Sequence, residues 1–238
     1  MFRAHFSAAQ DFSVSPTDDM RRFFELRQHV RQFSPALQDW FLGGESKENA
    51  LLYSAFDESG PSTEILAVLT ARRQSKNVNA LSRVIGLWNG EEGIDGATMG
   101  GVVRPWPEPS IVHFETECID FQDFSCVSST VRKMIDIWRP KFVSVEPTFY
   151  ESVFKDRPGV GWMLYLPHSL TARQVPEARA LLPVIGKDEK NKERQLGTIV
   201  VSVTDAAFSD QNPEHLEIAH SIEIRLVDQD LLPRFADL

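Results

Sequence analysis

Apolar residues recur at three- and four-residue spacing along the first third of the chain, and further on they alternate or run together. Phe2, Ala4 and Phe6 alternate in the stretch Met1 to Ala8, which predicts a short strand. Ser15-Pro16 then has the form of a helix start, a cap residue followed by Pro, with Asp18 and Asp19 at the positive end of the helix dipole. Met20, Phe23, Phe24, Val30 and Phe33 continue it at helical spacing. Ser34-Pro35 repeats the signal and predicts a second helix carrying Trp40 and Phe41. Ser46 caps a third through Asn49, Leu51, Leu52 and Phe56, broken by Gly60-Pro61, and Ile65, Val68 and Leu69 predict a fourth ending near Arg73.

Beyond this point strand patterns dominate. Arg83 to Trp88 is a β-type run, and Asn89 to Gly101 is rich in Gly and acid, as a wide turn is. Ala97 to Val103 and Ser110 to Cys118 predict a hairpin joined by the Pro-rich Pro105 to Pro109. Val127, Val131, Met134, Ile135 and Trp138 form one face of an amphipathic helix. Lys141 to Val145 is a strand stopped by Pro147; Val160 to Leu166 is apolar on both faces and belongs in the centre of a sheet. Leu182 to Ile185 reads as a short strand, Gly186 to Gly197 as a charged loop, and Thr198 to Val203 as a β-branched strand. Near the end, Ile222, Ile224 and Leu226 alternate like a strand, but Asn212-Pro213-Glu214 is a helix start and selects helix. The expected class is α+β: a mainly antiparallel central sheet of about five to seven strands with helices packed on it, and a helix-rich N-terminal part. A single domain over residues 1–238 is expected, with the helical part about 12–75 packed on a sheet-containing part about 83–238.

Charge narrows the functional classes. The net charge is −9, and the segment Asp205 to Leu238 has two basic residues against eight acidic ones. Such a chain repels phosphate backbones, so direct nucleic-acid binding is disfavoured and a basic protein partner is favoured. Cys118 and Cys126 have neither metal-type nor redox spacing and read as buried thiols in a reducing compartment. Met1 to Gln10 lacks the layout of a signal peptide and no apolar run is long enough to span a bilayer, so a cytoplasmic location without membrane contact is expected.

Catalytic signatures are weak. No phosphate loop or nucleophile elbow is present, and Gly159-Val160-Gly161 precedes a strand where a dinucleotide loop would follow one. His215 and His220 are five apart, on different helix faces, and the other histidines make no cluster. Asp39…Glu45-Ser46-Lys47 and Asp188-Glu189-Lys190 match a metal-nuclease pattern on letters alone, with no strand to align the ligands. Neither a metal nor a cofactor is expected, and no residue is assigned to catalysis.

Three stretches are distinctive: Asp156-Arg157-Pro158-Gly159-Val160-Gly161-Trp162-Met163-Leu164-Tyr165-Leu166-Pro167; Gly197-Thr198-Ile199-Val200-Val201-Ser202; and Ile222-Glu223-Ile224-Arg225-Leu226-Val227-Asp228 with Leu231-Leu232-Pro233. With Trp88-Asn89-Gly90, and in this order, they resemble the immunity protein 52 family of bacterial polymorphic-toxin systems. The resemblance spans about Trp40 to Leu238, is strongest from Phe154 onward, and is thin before Ser34. It implies a cytoplasmic antidote that binds the catalytic domain of a cognate secreted toxin. The usual toxin of that family is a DNA-degrading nuclease of restriction-endonuclease-like fold, often delivered by a type VI secretion system. The family has no catalytic residues to carry over.

The residues themselves point the same way. An acidic inhibitor competes for the basic surface where a nuclease holds DNA. The candidate toxin-binding residues are Glu91, Glu92 and Asp95 in the acidic loop, and Asp205, Asp210, Glu214, Glu217, Asp228 and Asp230 near the C-terminal end. Arg157 joins them as a partner for a toxin carboxylate, with an internal acid as the bland alternative. For each acid the bland reading is a solvated charge. Trp88 and Trp162 are candidate anchors set against core packing. The expected state is a monomer or weak dimer. Two other classes compete: a small cytoplasmic hydrolase with an acid/base site near Asp156 and His168, helped by Arg157 and Glu146, and a scaffold of the secretion machinery, which would favour repeats or heptads.

Overall fold

A computed structural model describes residues 1–7, 15–43, 47–75, 82–187 and 192–238. In chain order it contains β1 (Phe2–Ser7), α1 (Pro16–Val30), β2 (Phe41–Leu42), α2 (Lys47–Ala50), α3 (Thr63–Ser75), β3 (Arg83–Trp88), β4 (Ala97–Val103), β5 (Pro109–Thr116), α4 (Phe124–Trp138), β6 (Phe142–Val145), β7 (Met163–Leu166), β8 (Ala180–Lys187), β9 (Glu193–Val201) and α5 (Pro213–Asp228). The class is α+β as expected. The count differs: among the described residues nine strands stand against the five to seven expected, and the long helices α4 and α5 lie in the later part, so the helices are not gathered at the N-terminal end.

The chain divides into two compact units. One comprises Phe6–Phe121 and Lys133–Arg139, with strands in the order β2-β3-β4-β5. The pairings along that order are antiparallel. Alternation drives them: in β3 Arg83, Ile85 and Leu87 are buried while Val84 and Gly86 are exposed. Helix α1 begins where Ser15-Pro16 predicts, with a capping box in which Ser15 and Asp18 exchange side-chain and backbone hydrogen bonds. Two hydrogen bonds to the same Ser15 hold the Asp18 carboxyl below its usual range. Asp19 on the buried face of α1 meets Arg83 of β3 at 2.5 Å, both side chains almost fully enclosed.

Of the helices predicted in this unit, the one after Ser34-Pro35 is not formed and the third is cut short. After Ser34-Pro35 only the 3-10 turn Pro35–Leu37 appears. The backbone of Phe41–Leu42 is claimed instead by β3, opposite Trp88 and Leu87. The third stops at Ala50 because the following backbone bridges outward, Ser54 with Phe41 and Phe56 with Pro61. Pairing with neighbouring chain overrides local helix preference here. Ser46, its expected cap, lies outside the described residues. The Ala97–Val103 strand and the helix from Val127 to Trp138 form as predicted.

The other unit comprises Met1–His5, Gln122–Arg132 and Pro140–Leu238, with strands in the order β1-β6-β7-β9-β8, paired antiparallel. As predicted, β7 is central: it lies between β6 and β9, and all four of its residues are buried. Trp162 beside it is a core residue, its indole N–H donating to the Val203 carbonyl. In the charged stretch expected as a loop from Gly186 to Gly197, the described residues 186–187 and 193–197 are strand: β8 and β9 pair from Ala180↔Val201 to Lys187↔Glu193. A solvated hairpin end tolerates charge without losing its ladder. At the outer strand β8, the Pro183 carbonyl accepts from Arg132, and a register irregularity follows between Val184 and Ile185. Cys118 and Cys126 are free and buried. No helix among the described residues is long and apolar enough to cross a membrane.

Candidate functional site

Helix α5 carries the main acidic surface. Asn212 caps it, its side-chain oxygen accepting from the Glu214 N–H, and Pro213 occupies the first turn. Ala219, Ile222, Glu223 and Leu226 recur at three and four residues and are buried. The opposite face therefore presents Glu214, Glu217, Ile224 and Asp228, all exposed and all on one stripe. Had this segment been a strand, its alternation would have put the acids on two faces.

Other candidates fall around this stripe. Asp205 is exposed and Asp210 half-buried in the segment leading into α5, and Asp230 is exposed just after it with a left-handed backbone, φ 54°. Glu214 has a loose ion pair with Arg179 at 3.7 Å, with both side chains largely exposed. Such a pair contributes little stability and leaves the charge open to a partner.

Glu91, Glu92 and Asp95 lie in the other unit, in the connection between β3 and β4, and are all exposed. Lys47 reaches Glu92 at 3.0 Å, and Trp88 donates its indole N–H to the Glu91 carbonyl. Asn89 organises this loop: it is buried, donates to the carbonyls of Ala36 and Asp95, and accepts from the N–H groups of Glu91 and Ala97. In the sequence Asn89 is marked only by the Trp88-Asn89-Gly90 motif; one side chain satisfying four backbone groups explains why Asn stands there.

Arg157 is not on the acidic surface. It is 8% exposed, and its guanidinium donates to the Leu232 carbonyl. It lines a cavity of about 230 Å³ together with Arg3, Ser144, Glu146, Tyr150 and Lys155 among others. Behind that cavity sits Glu223, the inward-facing acid of α5, which is 0% exposed. Its carboxylate accepts from the Tyr150 hydroxyl at 2.6 Å, the Val153 N–H at 2.7 Å and the Val160 N–H at 2.9 Å. Burial and the neighbouring Glu223 push the Tyr150 hydroxyl's pKa upward.

Glu146 follows β6. Burial pushes its pKa up to about 7, with Arg3 at 3.5 Å opposing the shift and Glu223 adding to it. The backbone is closely fitted around it. A Cβ at Gly159 would lie 2.8 Å from Glu146 Oε2, and one at Gly161, where φ is 49°, would lie 2.6 Å from the Val145 carbonyl. Neither Glu146 nor Tyr150 has a motif signature; Glu223 sat inside a quoted stretch, but nothing in the letters marked it as buried.

The acid/base quartet of the hydrolase reading is not gathered. Asp156 is exposed, 3.8 Å from Arg234, and lines neither this cavity nor a second one. His168 lines the second, with Arg157, Asp230 and Asp237. Among the described residues no group of three or more His, Cys, Asp or Glu is placed to hold a metal ion. Glu45, Ser46 and the Asp188-Glu189-Lys190 match lie outside the described residues.

No family model matches this chain. No curated protein matches it either. Among solved structures it is similar to a type VI secretion system protein of Pseudomonas aeruginosa, T6SS protein PA0821, with 10% sequence identity and a TM-score of 0.47, over 93% of this chain and 74% of that one.

Proposed function

We propose that this chain is a cytoplasmic immunity protein that binds and neutralises a cognate secreted toxin, a DNA-degrading nuclease effector of restriction-endonuclease-like fold, and so protects the producing bacterium. The observation that carries the reading is the exposed stripe Glu214, Glu217 and Asp228 on α5, with Ile224 46% exposed among the acids. A stripe of fixed negative charge around an apolar side chain suits a basic, DNA-binding surface: the charge speeds encounter and the apolar contact holds the complex. Asp205, Asp210 and Asp230 widen the surface, and Glu91, Glu92 and Asp95 offer a second acidic patch on the other unit. The sequence resemblance to the immunity protein 52 family supports the same reading.

The test mixes the purified chain with the toxin catalytic domain encoded beside it and measures calorimetric affinity and DNA cleavage in the same samples. Nanomolar affinity, loss of cleavage and a steep fall of affinity with salt are expected. Reversing Glu217→Lys and Asp228→Lys together should weaken binding about 100-fold, from two lost charge contacts. Absence of binding and of protection refutes the proposal.

A further inference from the structure

The cavity behind the Pro147–Pro158 segment carries chemistry that a toxin-binding surface does not use. In a chain of net charge −9, three cations converge on it: Arg3, Lys155 and Arg157. The one carboxylate in its lining is Glu146. Among the described residues neither Lys155 nor Arg157 is within 4.0 Å of a carboxylate oxygen, and the Arg157 guanidinium has only the Leu232 carbonyl as partner. A guanidinium 8% exposed without a counter-charge is costly to fold. Proteins offset such a charge with an acidic side chain or a bound anion, and among the described residues the one acid in the lining, Glu146, is paired with Arg3 and is not within 4.0 Å of Arg157. Ser144 adds an independent sign. It is 2% exposed and lines the cavity, yet its hydroxyl has no partner among the described residues. The hydroxyl of this otherwise enclosed residue opens onto the cavity, where it can donate to a bound anion.

We propose that this cavity binds a small multivalent oxyanion, a free molecule bearing carboxylate or phosphate groups. Arg157 and Lys155 supply charge, Ser144 donates a hydrogen bond, and the rings of Phe142 and Phe235 wall the apolar side. The volume of about 230 Å³ falls below that of drug-sized pockets and suits a ligand of roughly ten to fifteen heavy atoms or fewer. The groups facing Glu146 are Arg3 on β1, Glu223 on α5, and Tyr150, Lys155 and Arg157 on the segment after β6, with the Met1 amino nitrogen donating to its backbone carbonyl. With a pKa of about 7, Glu146 gains a proton as the pH falls through neutrality, which removes the only negative charge in the lining and adds a donor. Anion affinity therefore rises toward acid.

Isothermal calorimetry of the full chain at low ionic strength tests this with three probes: sulfate, inorganic phosphate and citrate. Saturable binding of at least one probe, with a Kd of about 1 mM or tighter, is expected. Sulfate keeps its charge over pH 6 to 8 and reads the protein's titration alone; its affinity should fall about 5-fold or more across that range. Lys155→Gln, an exposed position that leaves folding intact, and Arg157→Gln, checked for folding by circular dichroism, should each weaken binding about 10-fold. Glu146→Gln should keep binding and abolish its dependence on pH. Lack of saturable heat with all three probes overturns the proposal, as does binding that survives both Lys155→Gln and Arg157→Gln in folded protein. If no probe binds but Lys155→Gln weakens toxin binding, the cavity takes a partner's carboxylate, and the free-anion proposal is wrong while the immunity reading stands.

Discussion

Replacing Glu223 with Ala removes an acceptor used three times. The Val160 N–H, the Val153 N–H and the Tyr150 hydroxyl all point at one carboxylate that has no contact with solvent. The hydroxyl can turn elsewhere, but the two N–H groups are fixed by the backbone. A buried donor left without an acceptor costs about 1 to 3 kcal/mol, so two of them with a small cavity amount to about 3 to 5 kcal/mol. Glu223→Gln separates the mechanism from simple loss of volume. Its carbonyl can retain Tyr150 and Val160, while its amide faces the Val153 N–H donor to donor, for a cost of about 1 to 2 kcal/mol. Urea denaturation followed by circular dichroism and tryptophan fluorescence measures both, with buried Trp162 reporting from the same unit. At a slope of about 3 kcal/mol per molar, the Ala variant should lose about 1 to 1.7 M in midpoint and the Gln variant less than half of that. Equal losses for the two variants, or an Ala variant within about 0.5 kcal/mol of the parent, would refute the hydrogen-bond argument.

Other perturbations follow from the same geometry. Asp19→Asn removes the carboxylate that meets the enclosed Arg83 and should cost about 3 to 5 kcal/mol by urea denaturation, whereas Asp18→Asn at the solvent-facing start of α1 should shift the urea midpoint far less. Gly161→Ala, at φ 49° with the Val145 carbonyl in the way, should destabilise by more than about 2 kcal/mol and lower the melting temperature, while Gly93→Ala, at φ 66° but in open space, should cost about 1 kcal/mol. Glu146 sets a pH dependence. Because burial raises its pKa in the folded state to about 7 from an ordinary 4.5, the folded state binds more protons between those values. Its contribution is fully present below about pH 4.5 and is lost as pH rises through about 7. Stability measured from pH 5 to 8 should fall by about 2 to 3 kcal/mol on this account, and Glu146→Gln should flatten that slope.

Elements marked by a local chemical signal were legible in the sequence. Ser15-Pro16 with Asp18, and Asn212-Pro213-Glu214, start helices where they predict, because capping is decided within four residues. The run Val160 to Leu166 predicts a central strand because only a strand enclosed on both faces is apolar throughout, and Met163–Leu166 of it is that strand. What failed was decided by partners distant in sequence. Phe41 and Leu42 follow a sound helix start, yet Trp88 and Leu87 take their backbone. Lys187 and Glu193 look like loop residues until each is opposite the other. The acidic stripe was half legible: the letters showed the acids, and only the choice of helix aligned them. For Arg157 the sequence leaves a toxin carboxylate and an internal acid both open, since nothing in Asp156-Arg157-Pro158 shows that its guanidinium meets the Leu232 carbonyl. Glu146, Tyr150 and Ser144 come together only through tertiary structure.

The outer strand β8 bears on how a partner can be engaged. Proteins that recruit an extended peptide do so by offering an unpaired row of main-chain donors and acceptors along such a strand. Here Pro183 has no N–H to offer, its carbonyl is already occupied by Arg132, and the irregularity at Val184/Ile185 breaks the spacing an added strand would need. These features disfavour the addition of a further strand at this margin. On the proposed immunity reading, contact with a toxin at this margin falls to side chains and not to the main chain of β8.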